Sequence, residues 1–293
     1  VGLAAGDGSS WEVVVAPAYR RRGIGTALLE AVGPGDVWAH GNLPGAQALA
    51  RAQGREMTRR LLVMAIAGEA LRQAARFEPR EDVEALDLPG AVGRFGREKV
   101  EEAWLAANNE AFSWHPEQGG WDRARLTRAQ EVEWFAEEDV LFLWAGGELA
   151  GFHWTKWHSE VSPEFGEVYV VGLASAFRGR GLGGPLLRLG LEHMVGKGAD
   201  RVILYVEADN GPAVKVYEDL GFTVAEEHVV WTLWVGEVGL IAHLRVMMKT
   251  KNAPGAGSFS NDLQLLTSRL LNLTTPVNQY PIALVDVSNK PAC

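Results

Sequence analysis

Cysteine is almost absent from this sequence, and long hydrophobic runs are absent altogether. The single cysteine, Cys293, is the last of the 293 residues. One thiol cannot form an intramolecular disulfide, so a disulfide framework is excluded and a reducing cytoplasm is the expected compartment. No apolar run approaches the roughly 20 residues that span a bilayer. The sequence therefore predicts a globular protein that does not enter the membrane.

The first residues, VGLAAGDGSSWEVVV, also lack features that are common at the start of a protein. They contain no initiator Met, no basic segment and no long apolar segment, so no secretory signal is indicated. The chain opens almost directly on a predicted strand. We therefore expect that the beginning of the first domain is missing.

Positive charge is scarce, because 28 Lys and Arg residues face 37 Asp and Glu residues and the formal net charge is -9. Non-specific binding to nucleic acid depends on a broad basic surface. We therefore expect no nucleic-acid partner, and any anionic ligand must be captured locally. Of the seven histidines, His153 and His158 lie five apart with no cysteine or carboxylate at ligand spacing, so no metal site is predicted.

Two similar segments lie about 160 residues apart, which indicates an internal repeat. They are YRRRGIGTAL at 19–28 and FRGRGLGGPL at 177–186. Each follows a predicted strand and opens a predicted helix, and a strand, a short helix and a final strand come after it. This order predicts parallel pairing of the first two strands through a crossover. We therefore predict two tandem α/β domains with mixed sheets.

The repeat gives the predicted domain boundaries. Residues 1–78 form a first domain that is truncated at its N-terminus, and residues 79–235 form the fuller second domain. The second domain includes a predicted hairpin that turns at Gly146 and Gly147. Residues 236–293 change in composition and follow neither repeat, so they are interpreted as an atypical tail that is either disordered or the product of an altered reading frame.

Both glycine loops have the spacing Arg-x-x-Gly-x-Gly before an apolar helix. Glycine lets the backbone approach a ligand closely, and the first N–H groups of a helix are unpaired. Such a loop suits a pyrophosphate. A Walker loop is excluded because no Gly-Lys-Ser/Thr follows, whereas Gly179, Gly181 and Gly184 also match a dinucleotide fingerprint. A turn that only caps the helix is the remaining alternative.

At these residues the chain resembles the GCN5-related N-acetyltransferases, whose signature is Arg/Gln-x-x-Gly-x-Gly/Ala after a strand. Further stretches are similar to the mycothiol synthases, tandem members of that family. These stretches are NNEAFSWHPEQGGW at 108–121, GFHWTKWH at 151–158, GEVYVVGL at 166–173 and LYVEADNGPAVKVYEDLGF at 204–222. The resemblance covers roughly residues 10–235, and it is specific in the second domain and generic in the first.

The resemblance implies acetyl-CoA as co-substrate and catalysis in the second domain. It places the acetyl and pantetheine arm on one strand, the pyrophosphate in the glycine loop, and the other side of the cofactor at a helix start. The residues in these positions are Val171, Gly172, Leu173, Arg178, Gly179, Arg180, Gly181, Leu182, Gly183, Gly184, Asn210, Gly211, Pro212, Ala213, Val214 and Lys215, with Val13, Val14, Val15, Arg21, Arg22, Gly23, Ile24, Gly25 and Thr26 in the first domain.

The acceptor that the resemblance implies is cysteinyl-glucosaminyl-inositol, a small molecule that is acetylated on its cysteinyl amine to give mycothiol. The positions that match acceptor contacts are Glu117, Lys156, Glu167 and Tyr205. Ionised carboxylates suit a ligand rich in hydroxyls with a cationic amine. Tyr217 matches the general acid of the family.

Glu167 is our candidate for the general base, acting directly or through a water. An α-amino group has a pKa of about 8, so the base needs to give only modest help. Three alternatives stay open: another small amine, a protein N-terminus, or a non-catalytic acyl-CoA-binding module. We expect a monomer.

Overall fold

Strands and helices alternate along the chain in the computed structural model, which describes residues 1–8, 10–113 and 118–233. The strands are β1 (Gly2–Gly6), β2 (Ser10–Val15), β3 (Gly35–Ala39), β4 (Glu56–Ala67), β5 (Glu84–Asp87), β6 (Val140–Ala145), β7 (Glu148–His158), β8 (Phe165–Leu173), β9 (Arg201–Glu207) and β10 (Thr223–Leu233). The α-helices are α1 (Ile24–Val32), α2 (Pro44–Ala52), α3 (Gly68–Ala74), α4 (Leu88–Phe95), α5 (Arg97–Ala111), α6 (Arg123–Gln130), α7 (Gly183–Gly196) and α8 (Gly211–Asp219).

The described residues form two compact units, and these divide the chain at other places than the predicted boundaries. Unit 1 consists of residues 1–60 and 227–233, and unit 2 of residues 61–226. Residues 61–67 of β4 pair with β9 in unit 2, and residues 229–233 of β10 pair with β3 in unit 1. A repeat identifies similar segments, but strand pairing is made by backbone groups that carry no local sequence signal. The predicted tail at 236–293 lies outside the described residues.

Unit 1 is built on a sheet in which the strand order is β1, β2, β3, β10. β2 and β3 are parallel, as the repeat predicts, while β1 and β10 add antiparallel strands at either side. The apolar core lies on the helix side of this sheet. There Leu29 and Val32 of α1 pack with Val37, and Ala50 of α2 packs with Trp231.

Unit 2 is built on a mixed sheet in which the strand order is β4, β9, β8, β7, β6, β5. Its predicted hairpin is present: β6 and β7 are antiparallel and turn at Gly146 and Gly147, where φ is 60° and 84°. A helix covers each face. On one face Trp104 of α5 contacts three aromatic rings at centroid distances of 5.4–6.2 Å, those of Phe142, Phe152 and Trp154.

The other face of the unit 2 sheet meets α7 at a buried histidine. His153 of β7 is fully buried, and its Nδ1 lies 3.0 Å from the carbonyl oxygen of Leu186 on α7. Burial lowers the pKa of His153 to about 4, so its imidazole is neutral at pH 7 and donates Nδ1–H to that carbonyl. α7 can approach this ring because residue 190 is glycine. A Cβ there would lie less than 3.0 Å from ring atoms of His153.

Replacing Gly190 with alanine is therefore expected to lower the free energy of unfolding by about 1–3 kcal/mol, because the added methyl overpacks the interface between α7 and β7. Gly196→Ala is the matched control on the same helix, since a Cβ at Gly196 has no neighbour within 4 Å. The control is expected to lose no stability, because alanine favours helix over glycine. Chemical denaturation of both variants measures the difference. Equal stability of the two variants would show that α7 shifts without cost.

Candidate active site

The parallel strands β8 and β9 pair over only a short part of their lengths. β8 continues to Leu173 and β9 to Glu207, but their pairs are Gly166–Val202, Glu167–Ile203 and Val168–Leu204. On its other side β8 keeps its antiparallel partner β7 as far as Leu173. The end of β8 that carries Val171, Gly172 and Leu173 therefore diverges from β9, and its edge towards β9 is open to a ligand. The two parallel strands are thus splayed at this end of the sheet.

A β-bulge of β8 against β7 lies where β8 begins to separate from β9. Trp154 of β7 is opposite Val170, whereas the next residue, Thr155, is opposite Val168. Tyr169 is thus the extra residue of β8. A bulge turns the backbone of the following residues and commonly occurs beside active sites. Burial, together with the charge of Glu167, raises the pKa of Tyr169 above its ordinary value, so its hydroxyl stays protonated.

The glycine loop of unit 2 connects the open end of β8 to the start of α7. Gly179 and Gly181 adopt left-handed backbone conformations, with φ of 71° and 72°. Both glycines and Arg180 are exposed, whereas Leu182, at the N-cap of α7, is buried and anchors the loop. The first N–H groups of α7 lack intrahelical partners by the geometry of any helix. Loop and helix together therefore form a site suited to an anion.

The C-terminal end of α5 holds the first part of this loop. A carboxylate oxygen of Glu110 accepts a hydrogen bond from the backbone N–H of Ser175 at 2.8 Å. In return, Arg178 donates from Nη2 to the backbone carbonyl of Glu110 at 3.2 Å. Arg178 is thus partly occupied in fixing the loop, while Arg180 lies over the ring of Phe177, with its guanidinium carbon 4.9 Å from the centroid.

The other predicted cofactor segment is the start of α8. Asn210 caps this helix, because its side-chain oxygen accepts from the N–H of Ala213 at 3.3 Å. Gly211 and Pro212 are exposed, Ala213 is buried, and Lys215 is paired with Asp219 on the helix surface. The segment is therefore a second exposed helix start in unit 2, and the positive end of a helix dipole suits an anion.

Three of the predicted acceptor residues share one face of the unit 2 sheet. Lys156 is directly opposite Glu167 across β7 and β8, and Glu167 is opposite Ile203 on β9. Tyr205 follows two positions after Ile203, so its side chain lies on the same face. Glu167 and Tyr205 are buried at 1% and 7% exposure, and the Lys156 ammonium lies 4.9 Å from the ring centroid of Trp134.

Glu167 has one satisfied and one unsatisfied carboxylate oxygen. Its Oε2 lies 2.6 Å from Nε2 of His158, while its Oε1 is buried and has no hydrogen-bond partner among the described residues. A buried carboxylate oxygen without a partner costs free energy unless a ligand satisfies it. Such an oxygen is suited to accept a proton from a bound ligand.

Tyr217 lies in the C-terminal half of α8, after the exposed start of that helix. Its side chain is fully buried and its ring meets Phe222 edge to face, with the centroids 5.9 Å apart. The tyrosine therefore has a defined position in the core of unit 2. Tyr217 and Asn210 belong to the same short stretch of chain, which begins where β9 ends.

Unit 1 contains the same local arrangement on a smaller scale. β2 and β3 are paired in parallel only at residues 10–12 of β2, so Val13, Val14 and Val15 diverge from β3. The loop that follows has Gly23 at φ 79°, close to the value at Gly181, and Arg21 at φ 63° where unit 2 has Gly179. Arg22 lies over the ring of Tyr19, and Ile24, Gly25 and Thr26 open α1.

Comparison with known proteins identifies the family. Residues 102–222 match the family model described as "Acetyltransferase (GNAT) family". Over 231 residues, 79% of this chain and 76% of the relative, the chain is 61% identical to the mycothiol acetyltransferase of Corynebacterium efficiens. The chain belongs to the mycothiol acetyltransferase family. A second member, from Corynebacterium aurimucosum, is 59% identical over 240 residues, which cover 79% of each protein.

Solved structures show the same fold as this member of the mycothiol acetyltransferase family. A GCN5-related N-acetyltransferase from Sphaerobacter thermophilus superposes with a TM-score of 0.58 at 20% identity, covering 78% of this chain and 75% of that one. A tandem GNAT protein from the clavulanic acid biosynthesis pathway gives a TM-score of 0.55 at 19% identity, covering 77% and 75%. At these identities the likeness concerns the fold alone. Family membership makes the chain an acyltransferase.

Several features of the site were not expected from the sequence. The bond between His158 and Glu167 depends on the register of β7 and β8, and the bulge at Tyr169 has no sequence signal of its own. Glu110 has no sequence signal of its own, because its role follows from the contacts that it makes with Ser175 and Arg178. Glu117, predicted to contact the acceptor, lies outside the described residues and stays a prediction.

Two further observations concern metal ions and membrane spans, and they apply to residues 1–8, 10–113 and 118–233. No group of three or more His, Cys, Asp or Glu side chains in these ranges is placed to hold a metal ion. In the same ranges no helix has the length and apolar character that a membrane span needs.

Proposed function

We propose that this chain transfers the acetyl group of acetyl-CoA to the cysteinyl amine of cysteinyl-glucosaminyl-inositol and so forms mycothiol. The observation that carries the proposal is the position of Glu167. This buried carboxylate, with one unsatisfied oxygen, lies at the point where β8 separates from β9, and the same strand leads into the glycine loop. The names of two relatives, which are 61% and 59% identical to this chain, support the choice of product.

In the proposed reaction, the residues of unit 2 bind acetyl-CoA, which supplies the activated acetyl group. Residues 178–184 hold the pyrophosphate, and residues 210–215 line its other side. Backbone N–H groups near Val171, Gly172 and Leu173 donate to the carbonyl oxygen as negative charge develops on it. The open edge of β8 supports this assignment, since it leaves these groups without a neighbouring strand on that side.

Two side chains move protons in the proposed reaction. Glu167 accepts a proton from the acceptor ammonium, directly or through a water, so that the amine attacks in its neutral form. Tyr217 donates its phenolic proton to the departing thiolate, and the proton that the nitrogen loses as the amide forms returns to the tyrosine oxygen through water. Lys156, Glu117 and Tyr205 are proposed to bind hydroxyls of the sugar and inositol, a role that the shared face of Lys156, Glu167 and Tyr205 supports.

We further propose that residues 1–78 and 79–235 are tandem copies of one acetyltransferase unit, with catalysis in the second copy. Parallel strands that separate before a glycine loop in both compact units support this proposal. The first loop, with Arg21, Arg22 and Gly23, is then a second place for acetyl-CoA. The single cysteine supports a cytoplasmic location.

The acceptor assay tests the proposed function. The purified chain, acetyl-CoA and cysteinyl-glucosaminyl-inositol are expected to give a product heavier by one acetyl group in mass spectrometry. Glucosaminyl-inositol without the cysteine is the matched control and is expected to stay unmodified, although it also carries an amine. Acetylation of unrelated amines or peptide N-termini alone would contradict the choice of acceptor. Binding of acetyl-CoA without any transfer would instead indicate a non-catalytic module.

A further inference from the structure

His158, at the end of β7, links Glu167 to a second carboxylate. Its Nε2 lies 2.6 Å from Glu167 Oε2, and its Nδ1 lies 2.9 Å from Glu160 Oε1. The imidazole stacks on the ring of Phe165, with centroids 4.4 Å apart and an angle of 19° between the planes. Phe165 is also its register partner across β7 and β8. The ring is therefore held in one orientation by contacts on three sides.

The two carboxylates determine where the imidazole carries its protons. Burial raises the pKa of Glu160, but the hydrogen bond with His158, a bond to its own backbone and the charges of His158 and Lys156 together outweigh this effect. The pKa is therefore lowered overall, so Glu160 is ionised at neutral pH. An ionised carboxylate only accepts hydrogen bonds, so Nδ1 must carry a proton. A separation of 2.6 Å between Nε2 and Oε2 likewise requires a proton between these atoms.

We propose that His158 is the positioning residue of the catalytic carboxylate: it donates a hydrogen bond to Glu167 Oε2 and leaves Oε1 available to the acceptor amine. The inference rests on the proposed function, in which Glu167 is the base. Glu160 orients the imidazole in turn, in the way that an orienting carboxylate serves a catalytic histidine. The geometry differs from that scheme because the histidine here orients the base and does not itself take the proton of the amine.

The charges around His158 are consistent with this role. Glu160 and Glu167 contact its two nitrogens, Lys156 lies two positions before it on β7, and the Arg201 guanidinium from β9 lies 5.6 Å from the ring centroid of Phe165. Neither cation makes an ion pair with Glu167 within the described residues. Among the described residues, His158 is therefore the side chain that holds Glu167 Oε2.

Three substitutions test the inference. His158→Leu removes the donor and is expected to lower kcat about ten-fold, because the carboxylate loses its fixed orientation. His158→Gln keeps an N–H at a similar reach and is expected to recover most of the activity. His193→Leu is the matched control, since His193 Nε2 lies 2.7 Å from the buried carboxylate of Asp139, away from the site. It is expected to lower thermal stability and leave kcat unchanged.

The pH profile of kcat/KM is a measurement that a loss of packing around His158 would not change. A hydrogen bond donated to a carboxylate favours its ionised form, so the acid limb of kcat/KM is expected at higher pH in His158→Leu and near the wild-type position in His158→Gln. Calorimetry is expected to give an unchanged Kd for acetyl-CoA in every variant.

The outcomes separate the inference from the proposed function. Suppose that the wild-type chain acetylates the acceptor and that His158→Leu has the same kcat and the same acid limb of kcat/KM. This result overturns the positioning role and leaves the proposed function standing. The same result follows if His158→Gln and His158→Leu are equally impaired. If the wild-type chain binds acetyl-CoA but acetylates no amine, the proposed function fails and the inference fails with it. Should His158→Leu not fold, the pH profile of His158→Gln against that of the wild type decides.

Discussion

Replacing Gly181 with valine is expected to raise the Kd of unit 2 for acetyl-CoA about 100-fold or more, which amounts to a loss of measurable binding. Gly181 has φ of 72°, a left-handed conformation that a β-branched residue strongly resists, at a cost of about 1–3 kcal/mol. A Cβ at this position has no neighbour within 4 Å, so the conflict lies in the backbone alone. The loop must change conformation, and its N–H groups then point away from the pyrophosphate.

Gly198→Val provides the matched control for this prediction. Gly198 follows the C-terminal end of the same helix, with φ of 104° and no neighbour within 4 Å of a Cβ. It therefore carries the same backbone conflict at the far end of α7 from the loop. The control is expected to lose stability but to keep the wild-type Kd in calorimetric titration. Equal affinities in the two variants would contradict the role of the loop as a pyrophosphate site.

Tyr217→Phe is expected to lower kcat by about 100-fold or more, because the departing thiolate then lacks its proton donor. The substitution removes one oxygen and keeps the ring. Tyr217 is fully buried and meets Phe222 edge to face, so phenylalanine retains this contact. Steady-state kinetics with the cysteinyl acceptor measures the change.

Two further measurements identify the cause of that loss. The Kd for acetyl-CoA is expected to be unchanged, because the proposed cofactor contacts of α8 are made by residues 210–215. The thermal midpoint is expected to stay close to that of the wild type. A normal kcat would remove Tyr217 from the proposed role, and a loss of both kcat and stability would assign it to the core instead.

The segments that local patterns determine could be predicted from the sequence. A short apolar run before Arg178 indicates a strand, and Gly179 and Gly181 indicate a turn with positive φ, as the structure has them. The hairpin at Gly146 and Gly147 was predictable for the same reason. In these segments the conformation that the residues favour locally is also the conformation that the fold requires.

The parts that depend on pairing between distant segments could not be predicted. The contact of His158 with Glu167 exists because β7 and β8 adopt one register out of several possible ones, and the bulge at Tyr169 shifts that register beyond it. The pairing of β10 with β3 joins residues about 190 positions apart, and nothing near either strand in the sequence indicates it. Family resemblance supplied roles for Glu167 and Tyr217, whereas only the structure supplied their surroundings.

The discontinuous chain of unit 1 has a consequence for synthesis on the ribosome. Residues 1–60 emerge first, but β3 receives its partner β10 only after residue 233 has left the exit tunnel. Unit 2, with residues 61–226, is continuous and becomes complete earlier. Domains commonly fold in the order in which they are translated. In this protein the unit that is translated earlier is the later one to complete its sheet, and until then β3 presents an unpaired strand edge.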